Sequence, residues 1–240
     1  VMNTDNMAIS GETIDYGPCA FMDNYDPETV FSSIDYAGRY AYINQPGIAK
    51  WNLLRFAETL LPLIDENEER AIKIAEDIIN NFDNLYKENW LKMMSKKIGL
   101  FEQDINDEKL ILDLLKLMNK KKYDYTNTFC SLMQKDIKKE NLYKDNDFML
   151  WYKRWTDRLK KNNKPIDLSV RKMREVNPLV IPRNHKVEEA LEAVDTKGDL
   201  KLFDKLLKTL QNPYEDKPEN FEYKFGAKEN AKTYKTYCGT

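Results

Sequence analysis

Asn3-Thr4-Asp5-Asn6-Met7-Ala8-Ile9-Ser10-Gly11-Glu12-Thr13-Ile14-Asp15-Tyr16-Gly17-Pro18 is the stretch on which the reading of this chain turns. Three oxygen-bearing side chains, Asp5, Asn6 and Asp15, are separated by short runs with a Ser10-Gly11 turn dipeptide between them. The pattern predicts short strands over 7–9 and 12–14, joined as a β-hairpin by a two-residue loop. In that register Ile9 faces Glu12, and Asn6 faces Asp15. Directly opposed residues carry Cβ atoms roughly 4.5–5.5 Å apart, so Asn6 and Asp15 can share one small hard cation. Mg²⁺ takes one or two carboxylates together with amide oxygens, water and substrate phosphates. Asp5 lies beside the pair, free to act as a base or to orient a nucleophile. Asp and Asn are also common in turns, and spacing alone leaves the solvated-loop reading open.

Outward from this stretch the chain carries Phe21-Met22-Asp23, Tyr25-Asp26-Pro27, Gly38-Arg39-Tyr40, Asn44-Gln45-Pro46 and Trp51-Asn52-Leu53. Further on come Asn177-Pro178, Ile181-Pro182-Arg183-Asn184, Asn212-Pro213-Tyr214 and a cysteine third from the end, Cys238. Together these residues resemble the selenoprotein O family, densely over 1–53 and sparsely beyond. The resemblance implies a pseudokinase with a kinase-like fold that transfers AMP, not phosphate, from ATP to Ser, Thr or Tyr hydroxyls of protein substrates. It also implies Asp5 as catalytic base, Asn6 and Asp15 as Mg²⁺ (or Mn²⁺) ligands, and Asp15 as a contact to the ATP phosphates. Asp15-Tyr16-Gly17 then stands where ordinary kinases carry Asp-Phe-Gly. Ordinary kinases separate the catalytic-loop aspartate from its asparagine by several residues. Here Asp5 and Asn6 are adjacent, so the loop geometry must differ.

A kinase-like fold also needs a Gly-rich phosphate loop, a strand lysine and its glutamate partner. Only 8 glycines occur in 240 residues, with no Gly-x-Gly cluster. The expectation is therefore a C-terminal half, opening inside the catalytic loop, whose N-terminal lobe is a missing partner. Alone it should bind ATP weakly and transfer AMP poorly. Two alternatives stand beside this: a non-catalytic helical binding module, and a kinase-like phosphotransferase fragment.

The expected fold class is mainly α, the helical C-terminal lobe of a protein-kinase-like fold with the short hairpin at the metal site. Residues 1–45 should form the catalytic loop, hairpin and activation-like segment, 46–214 the helical lobe, and 215–240 an extended tail. Pro46 suits a first helical position, and Ile48, Trp51, Leu54, Ala57 and Leu61 mark a helix to about residue 61. Asp65 should cap a long helix ending at Gly99, and Asp107 should open the next. Further helices are expected near 124–134, 146–161, 167–176, 185–194 and 199–210, with Asn184 as a plausible N-cap. The Trp151, Tyr152 and Trp155 cluster reads as core. Arg183 can hold a carboxylate or a phosphate, with buried structural pairing the preferred role.

Lys+Arg 38 against Asp+Glu 40 leaves a net charge near −2, which argues against nucleic acid as a partner. Lys120-Lys121-Lys122 and Lys160-Lys161 read as solvated helix ends. The apolar run Leu60-Leu61-Pro62-Leu63-Ile64 is far short of a membrane span. No secretory segment is visible, and the abundant Asn and Lys suggest a bacterial source, so a cytoplasmic location is expected. Cys19, Cys130 and Cys238 match no metal spacing, and three reduced thiols are the plain reading. The family resemblance adds a redox disulfide between a terminal cysteine and the activation segment. Where some relatives place that segment cysteine, this chain reads Val30-Phe31-Ser32, and Cys19 becomes the candidate partner of Cys238.

Overall fold

A computed structural model describes residues 1–13, 17, 19–134, 137, 140–227 and 235–237. The described residues are mainly helical. Helices α1 (Gln45–Ile64), α2 (Glu68–Asn80), α3 (Phe82–Lys97), α4 (Asp107–Lys121), α5 (Tyr125–Ser131), α6 (Asn146–Lys160), α7 (Ile166–Arg174), α8 (Asn184–Lys197) and α9 (Lys201–Leu210) follow in order. The one β-feature among the described residues is an isolated antiparallel bridge between Asn24 and Asp124. The chain divides into two compact units, one of 1–20, 27–90 and 235–240, the other of 21–26 and 91–234.

In the first unit α1 starts with Pro46 in its first turn, where the missing N–H costs nothing. It runs past Pro62 to Ile64 and packs on α2, which contributes the buried Ala71 and Ala75. Asp65 does not cap the next helix. It ends α1, and Asn67 caps α2 by accepting the Arg70 N–H at 3.0 Å. The expected single helix from 65 to 99 is two helices. The ladder breaks at Asn81, whose N–H turns back to Ile78. The pair Asn80-Asn81 supplies the break, because Asn side chains compete for backbone groups and lower helix propensity.

The second unit holds an apolar core in which α4 gives Leu110, Ile111, Leu114, Leu115 and Met118, and α6 gives Phe148, Trp151, Trp155 and Leu159. The indole N–H groups are satisfied, Trp151 on Leu110 O at 2.8 Å and Trp155 on Ile98 O at 2.9 Å. Asp107, fully buried at the start of α4, takes a bidentate grip from Arg158 in the last turn of α6 at 2.6 and 3.0 Å. Each charge complements its own helix dipole as well as its partner. Gly99 closes α3 with φ +74. A second cluster joins Val180, Ala190, Leu206 and Tyr223.

Candidate active site

Around residues 3–13 the local structure differs from the expected hairpin. Thr4–Asn6 is a single 3-10 turn, Met7 is extended, and the Gly11 N–H donates to Ala8 O at 3.0 Å. The reversal centres on Ile9-Ser10, one residue earlier than a Ser10-Gly11 loop requires, and no strand forms over the described part. Either two-residue hairpin turn needs a positive φ at its first central position, which Ser10 would adopt only with strain. Here the positive φ, +73, falls on Gly11, where it is free of penalty. Placing Asn6 directly opposite Asp15 by hairpin register therefore loses its basis. Asp15 itself lies outside the described residues, as does Cys238.

Asp5 and Asn6 are both exposed. A 3-10 turn advances about 120° per residue, so the two neighbours point in different directions and suit separate roles. The Asn6 amide N–H donates to Val1 O at 3.1 Å. That orients the amide while keeping its carbonyl oxygen, the atom a hard cation takes. Among the described residues no group of three or more His, Cys, Asp or Glu side chains lies close enough to hold a metal; the predicted set depends on Asp15.

Two of the motifs named above, Gly38-Arg39-Tyr40 and Trp51-Asn52-Leu53, reach this turn. Asn52, on α1 and only 5% exposed, donates to Met2 O at 2.9 Å and to the Met7 sulfur, gripping the segment on both sides of Asp5 and Asn6. Among the described residues its Oδ1 has no hydrogen-bond partner. The buried Tyr40 hydroxyl donates to Asn3 Oδ1. Tyr40 is itself fixed by Asp35, whose carboxylate accepts the N–H groups of Arg39 and Tyr40 at 2.8 and 2.9 Å. Asn44 donates to Gly38 O at 2.7 Å, closing the Gly38-Arg39-Tyr40 corner. Sequence reasoning identified these residues as motif letters and missed their function as clamps.

Cys19 is half-buried, and desolvation raises its thiol pKa, which lowers the thiolate fraction available for disulfide exchange. In the same unit Ser33 N–H donates to Thr236 O at 2.7 Å, and Thr236 is buried. Thr236, two positions before Cys238, is thus held by Ser33.

In the second unit Arg183 takes the structural pairing expected of it. Fully buried, it reaches Asp23 at 2.7 Å, Asp124 at 2.8 and 3.3 Å, and Lys224 O at 2.6 Å. Burial raises the Asp124 pKa against the pull of Arg183. Asn184 does not cap α8 by its side chain. Its amide instead accepts the Phe21 N–H and donates to Phe21 O, both at 2.8 Å. Lys97 lies over the Phe129 and Tyr125 rings at 4.4 and 5.4 Å, and burial lowers its pKa to about 8.

A family model described as protein adenylyltransferase SelO matches residues 1–211. Curated relatives called protein nucleotidyltransferase YdiU align over all 240 residues, at 55% identity in Pelagibacter ubique, 54% in Brevibacillus brevis and 55% in Clostridium botulinum. The alignment covers 50%, 49% and 49% of those relatives, so the chain spans about half their length. A match over so much of this chain, together with the shared motifs around Asp5 and Asn6, settles its kinship: the chain belongs to the SelO family of protein adenylyltransferases.

Proposed function

We propose that this chain supplies the base and the metal ligands of a protein adenylyltransferase built on a protein-kinase-like C-terminal lobe. The nucleotide-gripping lobe belongs to the part of the relatives' length that this chain does not span. Asp5 takes the proton of a Ser, Thr or Tyr hydroxyl on a protein substrate as that oxygen bonds the α-phosphorus of ATP. The bond from the α-phosphorus to the bridging oxygen breaks, and pyrophosphate leaves. Mg²⁺ or Mn²⁺ held by Asn6 and Asp15 supplies neutralisation of phosphate charge. The observation that carries this reading is the anchored turn. Asn52 and Tyr40 hold the residues on both sides of Asp5 and Asn6 through Met2 O, the Asn3 side chain and the Met7 sulfur, and catalysis of phosphoryl chemistry is chiefly positioning and charge stabilisation.

We also propose a reversible Cys19–Cys238 disulfide, supported by the seating of Thr236 on Ser33 and slowed by the raised Cys19 pKa. Non-reducing peptide mapping under oxidant should recover the linked pair; recovery of both cysteines as thiols refutes it.

The function is tested with the full-length protein, candidate protein substrates and ATP labelled at either the α or the γ phosphate. Protein-bound α-label, lost in both Asp5→Ala and Asp15→Ala, supports adenylylation. Label from γ supports a kinase-like phosphotransferase, and label from neither supports a binding module. Retention of α-label in both variants means the site is misassigned.

A further inference from the structure

Beside the anchored turn lies a cation that no carboxylate among the described residues neutralises. Arg39 is exposed, its guanidinium 5.1 Å from the centroid of Trp51 and 5.8 Å from that of Tyr40. Among the described residues it makes no ion pair. Its neighbour Arg55 also lies over Trp51, at 5.4 Å, but is matched by Glu58 at 2.6 Å. Asp35, the nearest acid in sequence, spends its carboxylate on main-chain N–H groups. Trp51 remains 41% exposed beside the arginine.

We propose that Arg39 and Trp51 form a subsite for an acidic side chain of the protein substrate, flanking the hydroxyl to be modified. The proposal rests on the adenylyltransferase reading for the identity of that substrate. A guanidinium stacked on an aromatic ring keeps its in-plane N–H fork for a carboxylate, and stacking fixes the plane of that fork in advance. The exposed indole adds an apolar wall for the neighbouring peptide.

The main chain here is unsuited to nucleotide phosphate. Phosphate cradles are built from unsatisfied main-chain N–H groups, and around Arg39 these are already used. Gly38 N donates to Asp35 O, Arg39 N and Tyr40 N to the Asp35 carboxylate, and Ala41 N to Gly38 O. A single carboxylate needs only the guanidinium edge.

The subsite is also tied rigidly to the base. Arg39 precedes Tyr40, which holds Asn3, and Trp51 precedes Asn52, which holds Met2. In both pairs one residue anchors the catalytic turn and its neighbour faces outward. An acid seated on Arg39 therefore lies in fixed register with Asp5.

The test uses the full-length protein and fluorescent peptides with a central Ser or Tyr, carrying Glu or its neutral counterpart Gln at each flanking position in turn. Binding is read by anisotropy without ATP, and transfer by α-label. The wild type should prefer Glu over Gln at one position by about tenfold, a partly screened bidentate pair, and the preference should shrink with added salt. Arg39→Gln should collapse it to within about twofold, Arg39→Lys should fall between, and the KM for ATP should stay unchanged. Equal binding of Glu and Gln peptides by the wild type overturns the proposal. So does equal weakening of both by Arg39→Gln, or a raised KM for ATP in that variant. Glu discrimination without α-label transfer refutes the adenylyltransferase reading and leaves the subsite standing.

Discussion

Replacing Asn52 with leucine separates positioning from stability. The substitution removes the donor to Met2 O and to the Met7 sulfur, an ordinary loss of about 0.5–1.5 kcal/mol. It also removes Oδ1, a buried atom with no partner among the described residues, whose desolvation costs about 1–3 kcal/mol while it remains. Leucine shares the branched outline of asparagine but is bulkier. Its added apolar contact and the relieved desolvation act against the lost hydrogen bonds and the tighter packing, and folding stability should stay within about 1 kcal/mol of wild type. For a domain of this size that is a Tm shift of roughly 2–4 °C at most. The turn carrying Asp5 and Asn6, however, loses its tie to α1, and on the proposed reading a displacement near 1 Å costs on the order of 100-fold in rate. The expected result in the full-length protein is a kcat for α-label transfer down roughly 10- to 100-fold with the KM for ATP unchanged. Asn52→Asp sharpens the test. Its carboxyl can donate to Met2 O only when protonated, and burial raises its pKa. Its activity relative to wild type should therefore recover as pH falls. A Leu variant with wild-type kcat, or activity lost only in proportion to stability, refutes the positioning role.

Other outcomes follow from the second unit. Arg183→Met leaves Asp23 and Asp124 facing each other without their cation and should cost about 3–5 kcal/mol in denaturant titration. Asp124 already has a raised folded pKa, so its protonation stabilises below the unfolded value and that benefit disappears as pH rises. Removing Arg183 raises the folded pKa further, and the deficit should be largest at neutral pH and shrink in acid. Gly99→Ala puts a Cβ 3.0 Å from Ser169 Cβ and 3.1 Å from its carbonyl oxygen at φ +74; we expect a loss of about 1–3 kcal/mol by thermal melting. Lys97, with its pKa lowered from 10.5 to about 8, is neutral in the folded state while the unfolded chain still holds the proton. Stability should rise with pH between about 8 and 10.5 through this group and fall as pH drops through 8. Lys97→Met should flatten that slope.

Local order was largely legible. Apolar spacing located α4 to α9 to within a few residues because a helix face repeats within one turn, and Gly99 and Gly198 carry the positive φ expected of helix ends. The break at Asn81 was hidden because Ile78, Ile79 and Phe82 continue the apolar pattern across it. The turn at Ser10-Gly11 was placed one residue late, since composition identifies a turn but not which residue takes the left-handed conformation. For the site, the chemistry proposed for Asp5 and Asn6 rests on residue type and motif. The residues holding them do not, because a hydrogen bond from Asn52 to Met2 spans 50 positions and leaves no local pattern. Arg183 was readable as a buried fork, yet its partners Asp23 and Asp124 lie 160 and 59 residues away.

Four of the recognised motifs share one physical device. Asn44, Asn52, Asn177 and Asn184 each donate to a main-chain carbonyl, of Gly38, Met2, Lys97 and Phe21 respectively. An amide side chain presents a donor and an acceptor matched to the peptide group and carries no charge to desolvate. It can therefore fix a stretch of backbone that belongs to no helix or sheet ladder. Aspartate would lose the donor and bring a charge, and leucine would lose both polar groups. Among the described residues the one β-feature is an isolated bridge, and 1–13 and 19–41 carry no α-helix, so main-chain ladders do little of the holding there. Asn6 uses the same device, its amide donating to Val1 O. On the proposed reading Asn52 then holds the turn without being a reacting group, and Asn6 combines the same kind of tie with a carbonyl oxygen proposed for the metal.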